Sequence, residues 1–240
     1  MKRVGIASDL EADNLATVKE LYGGLIEDLI RQYGDDVYRY FAKYGSEGID
    51  DIGRLGDVVI GIFGKYGDDG VRALNGGISV ELINRLADYG IVPSQYGRYN
   101  IVSGEVAETI VEAVESIISN AKAAQRFGGY IEDTFSGTIL TKGTKIYGLT
   151  PGQTAWYTTA EMLETSGYSY KDLYDGLQIT PDPVRGYRQF ITEYEVTEDV
   201  VVATGKALAN TTEGNGGYIQ YYIDEFSKFL NPVKEITLHE

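Results

Sequence analysis

The chain has 240 residues, 43% hydrophobic and 24% charged, with a net charge of −15. That is apolar material for one large domain or two ordinary ones, and no run of 18 apolar residues suits a membrane span. Cysteine is absent and the single histidine, His239, is the penultimate residue, which excludes disulfides, thiolate zinc sites, cysteine nucleophiles and Ser-His, Cys-His or multi-histidine chemistry.

The acidic excess is shared: 13 basic against 20 acidic residues up to Arg126, and 8 against 16 from Phe127 onward. Neither half carries the basic footprint of a phosphate-backbone binder, and a basic partner protein suits the charge better. Met1 opens an acidic, amphipathic stretch without the basic start and apolar middle of a secretory signal peptide. Export is therefore expected by another route, or as part of something larger.

The first half repeats. Units starting at Tyr22, Tyr33, Tyr44, Leu55 and Tyr66 are spaced by 11 residues, with slippage before Tyr89, and glycine follows each leading residue. Eleven residues are close to three helical turns, yet glycine costs about 1 kcal/mol inside a helix. The glycines therefore read as C-caps, with Asp-Asp or Ser-Glu opening the next helix. The expectation is a scaffold of short helices in a compact array. Asp35-Asp36 and Asp68-Asp69 lack the remaining spacing of a calcium loop, so no metal is expected. Ser103 reads as an N-cap, and Val106, Ile110, Val114, Ile117, Ile118 and Ala121 mark an amphipathic helix ending near Arg126. The Gly128-Gly129 break sets the expected boundary between a helical region, 1–127, and a second domain, 128–240.

From Tyr130 the pattern changes to short β-like runs and turns, with one helix expected from about Thr159 to Leu177. The fold class is α+β: helical repeats followed by a compact, mostly antiparallel β domain. Four features stand out. Thr141–Thr159 reads as a strand, a Pro151-Gly152-Gln153 turn and an aromatic strand end. Leu177–Phe190 is a proline-bounded loop carrying Arg185 and Arg188. Glu193–Ala209 and Gly214–Phe226 complete the set, the last placing Gln220 between aromatics. Glu193, Glu195, Glu198 and Asp199 read as mostly solvent-facing, and alternation alone puts Gln220 opposite the Ile219, Tyr221 and Ile223 face.

In this order the features resemble the C-terminal toxin domains of bacterial polymorphic toxin systems, specifically the ADP-ribosyltransferase-like NAD glycohydrolases of the tuberculosis-necrotizing-toxin type. The matching motifs are Lys142-Gly143-Thr144, Tyr194-Glu195-Val196, Gly205-Lys206-Ala207 with Ala209, and Gly216-Gly217-Tyr218-Ile219-Gln220-Tyr221. The resemblance covers roughly Thr138 to Leu238. It implies an ADP-ribosyltransferase-like fold, NAD as the molecule consumed, a cognate immunity protein as partner, and delivery into a target cell's cytoplasm. Where the family carries an arginine after its first strand, this chain has Tyr147-Gly148, so Arg188 and Arg185 are the residues able to supply that charge.

The chemistry can be weighed on its own. Breaking the nicotinamide–ribose bond passes through an oxocarbenium-like state, as glycoside hydrolysis does. Nicotinamide leaves as a neutral group, so orientation, hydrogen bonds to ribose, an aromatic wall and a cation on the pyrophosphate suffice. Gln220, Arg188 and Tyr157 are the catalytic candidates: Gln220 for the ribose hydroxyls, Arg188 to fork onto phosphate, Tyr157 or Trp156 to stack. Thr144, Tyr147, Trp156, Thr158, Arg185, Gly216 and Gly217 are the candidates for holding NAD. Thr158-Thr159 resembles the Ser-Thr-Ser element of ADP-ribosyltransferases and equally could cap the following helix. Transfer of ADP-ribose to an acceptor, a metal-independent RNase using Arg188, Lys145, Thr158 and tyrosines, and a non-enzymatic binding module built on 20 tyrosines remain the alternatives.

Overall fold

Four glycines at 11-residue intervals punctuate the helical half. Gly34, Gly45, Gly56 and Gly67 have φ of 60°, 54°, 79° and 62°, a left-handed conformation that only glycine adopts without strain. In the computed structural model, which describes residues 9–150, 154–209 and 214–240, the first three end helices α1 (Asp9–Tyr33), α2 (Asp36–Tyr44) and α3 (Glu47–Leu55). Their N–H groups return to the carbonyls of Ile30, Phe41 and Ile52, so each cap satisfies an otherwise orphaned acceptor. Gly67 kinks α4 (Val58–Asn75). Gly23, expected to end a helix in the same way, lies with Gly24 inside α1, which runs on to Tyr33; two interior glycines cost less than the turns they would interrupt. Helices α5 (Val80–Asp88) and α6 (Gly104–Phe127) follow.

The chain divides into two compact units: residues up to Ala87 with Val92–Ala107, and Asp88–Ile91 with Glu108–Glu240. The division falls about 20 residues before the expected break at 127/128, because from Glu108 onward α6 belongs to the second unit. Ile117 and Ala121 of α6 pack with Phe135, Ala203 and Tyr222. A Cβ at Gly137 would lie 2.3 Å from Val114, so glycine there lets helix and strand approach.

The second unit is built on a seven-stranded sheet in which every pairing is antiparallel. Its strands are β1 (Ser136–Leu140), β2 (Lys145–Thr150), β3 (Trp156–Thr158), β4 (Phe190–Val196), β5 (Val200–Lys206), β6 (Ile219–Tyr222) and β7 (Leu230–Thr237), in the order β1-β5-β6-β3-β2-β4-β7. The α+β class holds. Over the inner strands both faces are largely buried, so these do not simply alternate core with solvent, whereas edge strand β7 is mostly exposed. One face gathers Ile146, Tyr157, Tyr194, Val196, Val202 and Ile223. The other meets α6 at one end and, at the other, packs Tyr147 and Ile191 on Leu163 and Leu173.

Those leucines come from two helices rather than the single one expected from Thr159 to Leu177. Helix α7 (Ala160–Thr165) is capped by Thr159, whose hydroxyl accepts from Met162 N, and α8 (Tyr170–Leu177) by Ser169, which accepts from Asp172 N. Between them Gly167 and Tyr168 have φ of 59° and 64°, which no α-helix accommodates. The expected Pro151-Gly152-Gln153 turn lies outside the described residues.

Candidate functional site

Strand register lines up one transverse row of side chains. Gln220 on β6 faces Thr158 on β3, Thr158 faces Tyr147 on β2, Tyr147 faces Glu193 on β4, and Glu193 faces Lys234 on β7. Directly paired residues share a face, so these five project together on the side that carries α6 and α8. Over the first three opens a cavity of about 400 Å³, within the range of ligand sites. Its walls are the end of α6 (Ala124, Gln125, Phe127), the loop through Tyr130 and Asp133, the strand residues Tyr147, Leu149, Trp156, Thr158 and Gln220, the end of α8 (Tyr174, Leu177, Gln178) and Arg188.

Gln220 is 7% exposed, not on a solvent side. Its Nε2 donates to the Asp133 carboxylate. Asp133, 3% exposed, also accepts from Gln125 Nε2 at 2.7 Å and from the Leu208 backbone N–H at 2.7 Å, while its own N–H donates to Gln125 Oε1 at 2.8 Å. A buried carboxylate is tolerable when N–H donors surround it. Asp133 thereby fixes which end of the Gln220 amide is held, leaving the carbonyl end for whatever enters the cavity.

The other end of the row is ionic. Glu193, 5% exposed, accepts from Lys145 Nζ at 2.6 Å and from Tyr147 Oη at 3.1 Å, and Lys234 Nζ lies 3.3 Å away. The expectation that Glu193 faces water is corrected: two lysines and a phenol supply what water would have. The Lys145 hydrogen bond, more than any other contact, holds the Glu193 carboxyl below its ordinary range. Burial, then the hydrogen bond to Glu193, pushes the Tyr147 phenol up to about 12. Tyr147 therefore stays protonated at neutral pH, and its hydroxyl is committed to Glu193.

Arg188 is half-buried at the cavity wall. Its N–H donates to Tyr174 Oη at 2.9 Å and its Nη1 to Leu149 O at 3.2 Å. One guanidinium donor holds the side chain in place and the others remain for a ligand. A smaller neighbouring cavity of about 240 Å³ shares Arg188 and Asp182 and adds Arg185. Asp182 accepts from Val184 N and Arg185 N at 2.9 and 2.8 Å, closing the proline loop and holding its own carboxyl low.

The structure thus brings Gln220, Arg188, Tyr147, Trp156 and Thr158 to one cavity. Thr158 gives its hydroxyl to Ile219 O at 2.7 Å, and Trp156 packs edge-on against Tyr222 with ring centroids 4.9 Å apart. Tyr157 also borders the cavity, but its ring packs on the opposite face of the sheet, 5.5 Å from that of Tyr194, so as a stacking wall it is replaced by Trp156. Arg185 is exposed and lines only the smaller cavity. Thr144 belongs to the turn before β2, its N–H on Thr141 O and its O accepting from Val196 N, away from the cavity lining. Gly216 and Gly217 approach protein rather than ligand: Gly216 N donates to Asp175 O and Gly217 N to Ala207 O, and a Cβ at Gly216 would lie 2.4 Å from Ala207 O.

Sequence reasoning missed Asp133, Gln125 and Gln178. Asp133 sits 87 residues from the glutamine it holds, so no local spacing could reveal the pair.

No curated protein matches the chain. Residues 113–225 match the model of the Rhs1 C-terminal toxin domain, a span that contains the cavity residues from Ala124 to Gln220. The solved structure of Rhs1-CT in complex with its cognate immunity protein RhsI1 is 30% identical, covering 50% of this chain and 96% of that one at a TM-score of 0.46. Tse6 in complex with Tsi6 is 11% identical, covering 65% of this chain and 98% of that one (TM-score 0.31). Tne2 in complex with Tni2 is 14% identical, covering 44% and 92% (TM-score 0.36). Over residues 113–225, which hold six of the sheet's seven strands and the cavity, the chain belongs to the Rhs1 C-terminal toxin domain family.

Proposed function

We propose that the second unit consumes NAD⁺, cleaving the nicotinamide–ribose bond and passing the ribosyl carbon to water. The observation that carries the reading is the buried Gln220–Asp133 pair set into the cavity floor beside Thr158, with an arginine at the wall. An amide nitrogen held on a carboxylate turns the negative end of its dipole the other way. A ribosyl cation developing next to that carbonyl is stabilised without any reorganisation of the protein. Because nicotinamide departs neutral from a cationic ring, no proton donor is needed, which suits a cavity whose Tyr147 hydroxyl is committed to Glu193. Trp156 supplies the apolar wall. Arg188 takes the pyrophosphate, and the adjoining cavity with Arg185 gives the rest of a dinucleotide a path out.

In this reading the domain is the cargo of a polymorphic toxin delivered into a target cell, and a cognate immunity protein holds it in check, as RhsI1 binds Rhs1-CT. Among the described residues no helix is long and apolar enough to cross a membrane.

The test is to incubate purified protein with NAD⁺ and, separately, with total tRNA. Nicotinamide and free ADP-ribose are expected, and Gln220→Ala should lower the rate by about 100-fold or more, the scale of losing one oriented stabilising group. ADP-ribose retained on a protein would redirect the reading to transfer, and cut RNA to a nuclease. No nicotinamide at enzyme concentrations near that of NAD⁺ would refute it.

A further inference from the structure

Among the described residues three glutamines border the cavity, and two of them are tied to Asp133. The third, Gln178, is not. It ends α8 in the left-handed region, φ 55° and ψ 45°, with its N–H on Tyr174 O. A non-glycine residue stays there only where its surroundings hold it. The side chain that results is 5% exposed and lines the cavity, and its Nε2 is closed from solvent with no hydrogen-bond partner among the described residues. A buried donor without an acceptor destabilises the free protein, so its retention in a strained position calls for a partner that arrives later. The terminal torsion is broad for glutamine, so the amide is free to reorient toward a ligand in the cavity that the residue borders.

Resting on the NAD⁺ reading, we infer that Gln178 is a specificity-determining residue whose amide donates to a neutral acceptor on one of the dinucleotide's bases. The acceptor is neutral because apolar Leu177 and Ile179 flank Gln178 in the chain and line the same cavity, whereas phosphate has Arg188. The bases of NAD⁺ offer the carbonyl oxygen of the nicotinamide amide and N1, N3 and N7 of adenine, and the carbonyl oxygen and N7 are the two we assign.

Steady-state kinetics of wild type and Gln178→Met on NAD⁺, on its thionicotinamide analogue and on its 7-deazaadenine analogue separate the two, with melting temperatures of the ligand-free proteins measured alongside. Methionine keeps the length and removes the donor. KM for NAD⁺ should rise about tenfold, the scale of one neutral hydrogen bond, with kcat little changed. Wild type should discriminate against one analogue and the variant should not: the thionicotinamide compound if the carbonyl is read, the deaza compound if N7 is. Ligand-free Gln178→Met should melt at or above wild type, because an unpaired donor has been removed. Gln178→Glu, equally long but acceptor-only, should raise KM further. Wild-type KM on all three substrates in the methionine variant, or a lowered melting temperature, overturns the assignment. Absence of nicotinamide release by wild type is a different outcome, which refutes the NAD⁺ reading and this inference with it.

Discussion

Replacing Asp133 by asparagine changes one atom and should disable the site without unfolding it. The Leu208 backbone N–H on Oδ1 cannot turn over, so the asparagine oxygen takes that position and its NH₂ takes Oδ2, facing two glutamine nitrogens. Gln125 cannot flip to relieve the clash without losing the bond from the residue-133 N–H to its Oε1. Gln220, whose amide is tied through its nitrogen alone among the described residues, flips instead. One hydrogen bond to a charged acceptor is then lost, about 1.5–3 kcal/mol, a fall in melting temperature of roughly 5–15 °C for a unit of this size. The flip presents N–H rather than carbonyl to the cavity, so nicotinamide release should fall by about 100-fold or more. Scanning fluorimetry and a nicotinamide assay on the same preparation read both effects. Adding Gln125→Glu gives the new amide an acceptor and should recover most of the melting temperature. An Asp133→Asn protein that melts and turns over as wild type does would show that Asp133 does not orient Gln220.

The ionic end of the row makes stability depend on pH. The folded carboxyl of Glu193 titrates below its ordinary value of 4.5, so the stabilisation is fully present above that pH and is lost as pH falls through the depressed value. Glu193→Gln should flatten the acid limb of a urea-midpoint profile, and superimposable profiles would contradict the assignment. Gly176→Ala puts a Cβ 2.5 Å from the Tyr218 ring. It should cost about 1–3 kcal/mol by overpacking and speed amide exchange at Gly216 and Tyr218, whose N–H groups bond Asp175 O and Gly176 O; unchanged exchange would argue that this junction is pliant. Arg188→Ala should raise KM for NAD⁺ at least tenfold while exposed Arg185→Ala changes it less, and the reverse order would move the phosphate contact to the smaller cavity.

Much of the fold and part of the site are legible in the sequence. The 11-residue glycine period marks helix ends at Gly34, Gly45 and Gly56 and a kink at Gly67, because only glycine enters the left-handed region cheaply, though Gly23 stays inside α1. The series of short motifs from Thr138 to Leu238 singles out Gln220, Thr158, Tyr147, Trp156 and Arg188, which share one cavity. Local pattern fails where a residue's role is set by what lies across the sheet. Thr144 and Gly216 satisfy backbone geometry, and Glu193 is sheltered by lysines from the two flanking strands.

Composition by itself determined which chemistries these 240 residues cannot carry: no cysteine and a single histidine exclude thiolate and multi-histidine sites. Periodicity determined the change from helix to sheet, since both signals are local in the chain. Only the tertiary structure decided that Gln220 is buried, that Asp133 holds it, that α6 belongs with the sheet from Glu108 onward, and that Gln178 keeps an amide nitrogen without a partner among the described residues. These depend on register and packing between segments far apart in sequence. Hydrogen bonding and desolvation act through space, and no spacing along the chain encodes them.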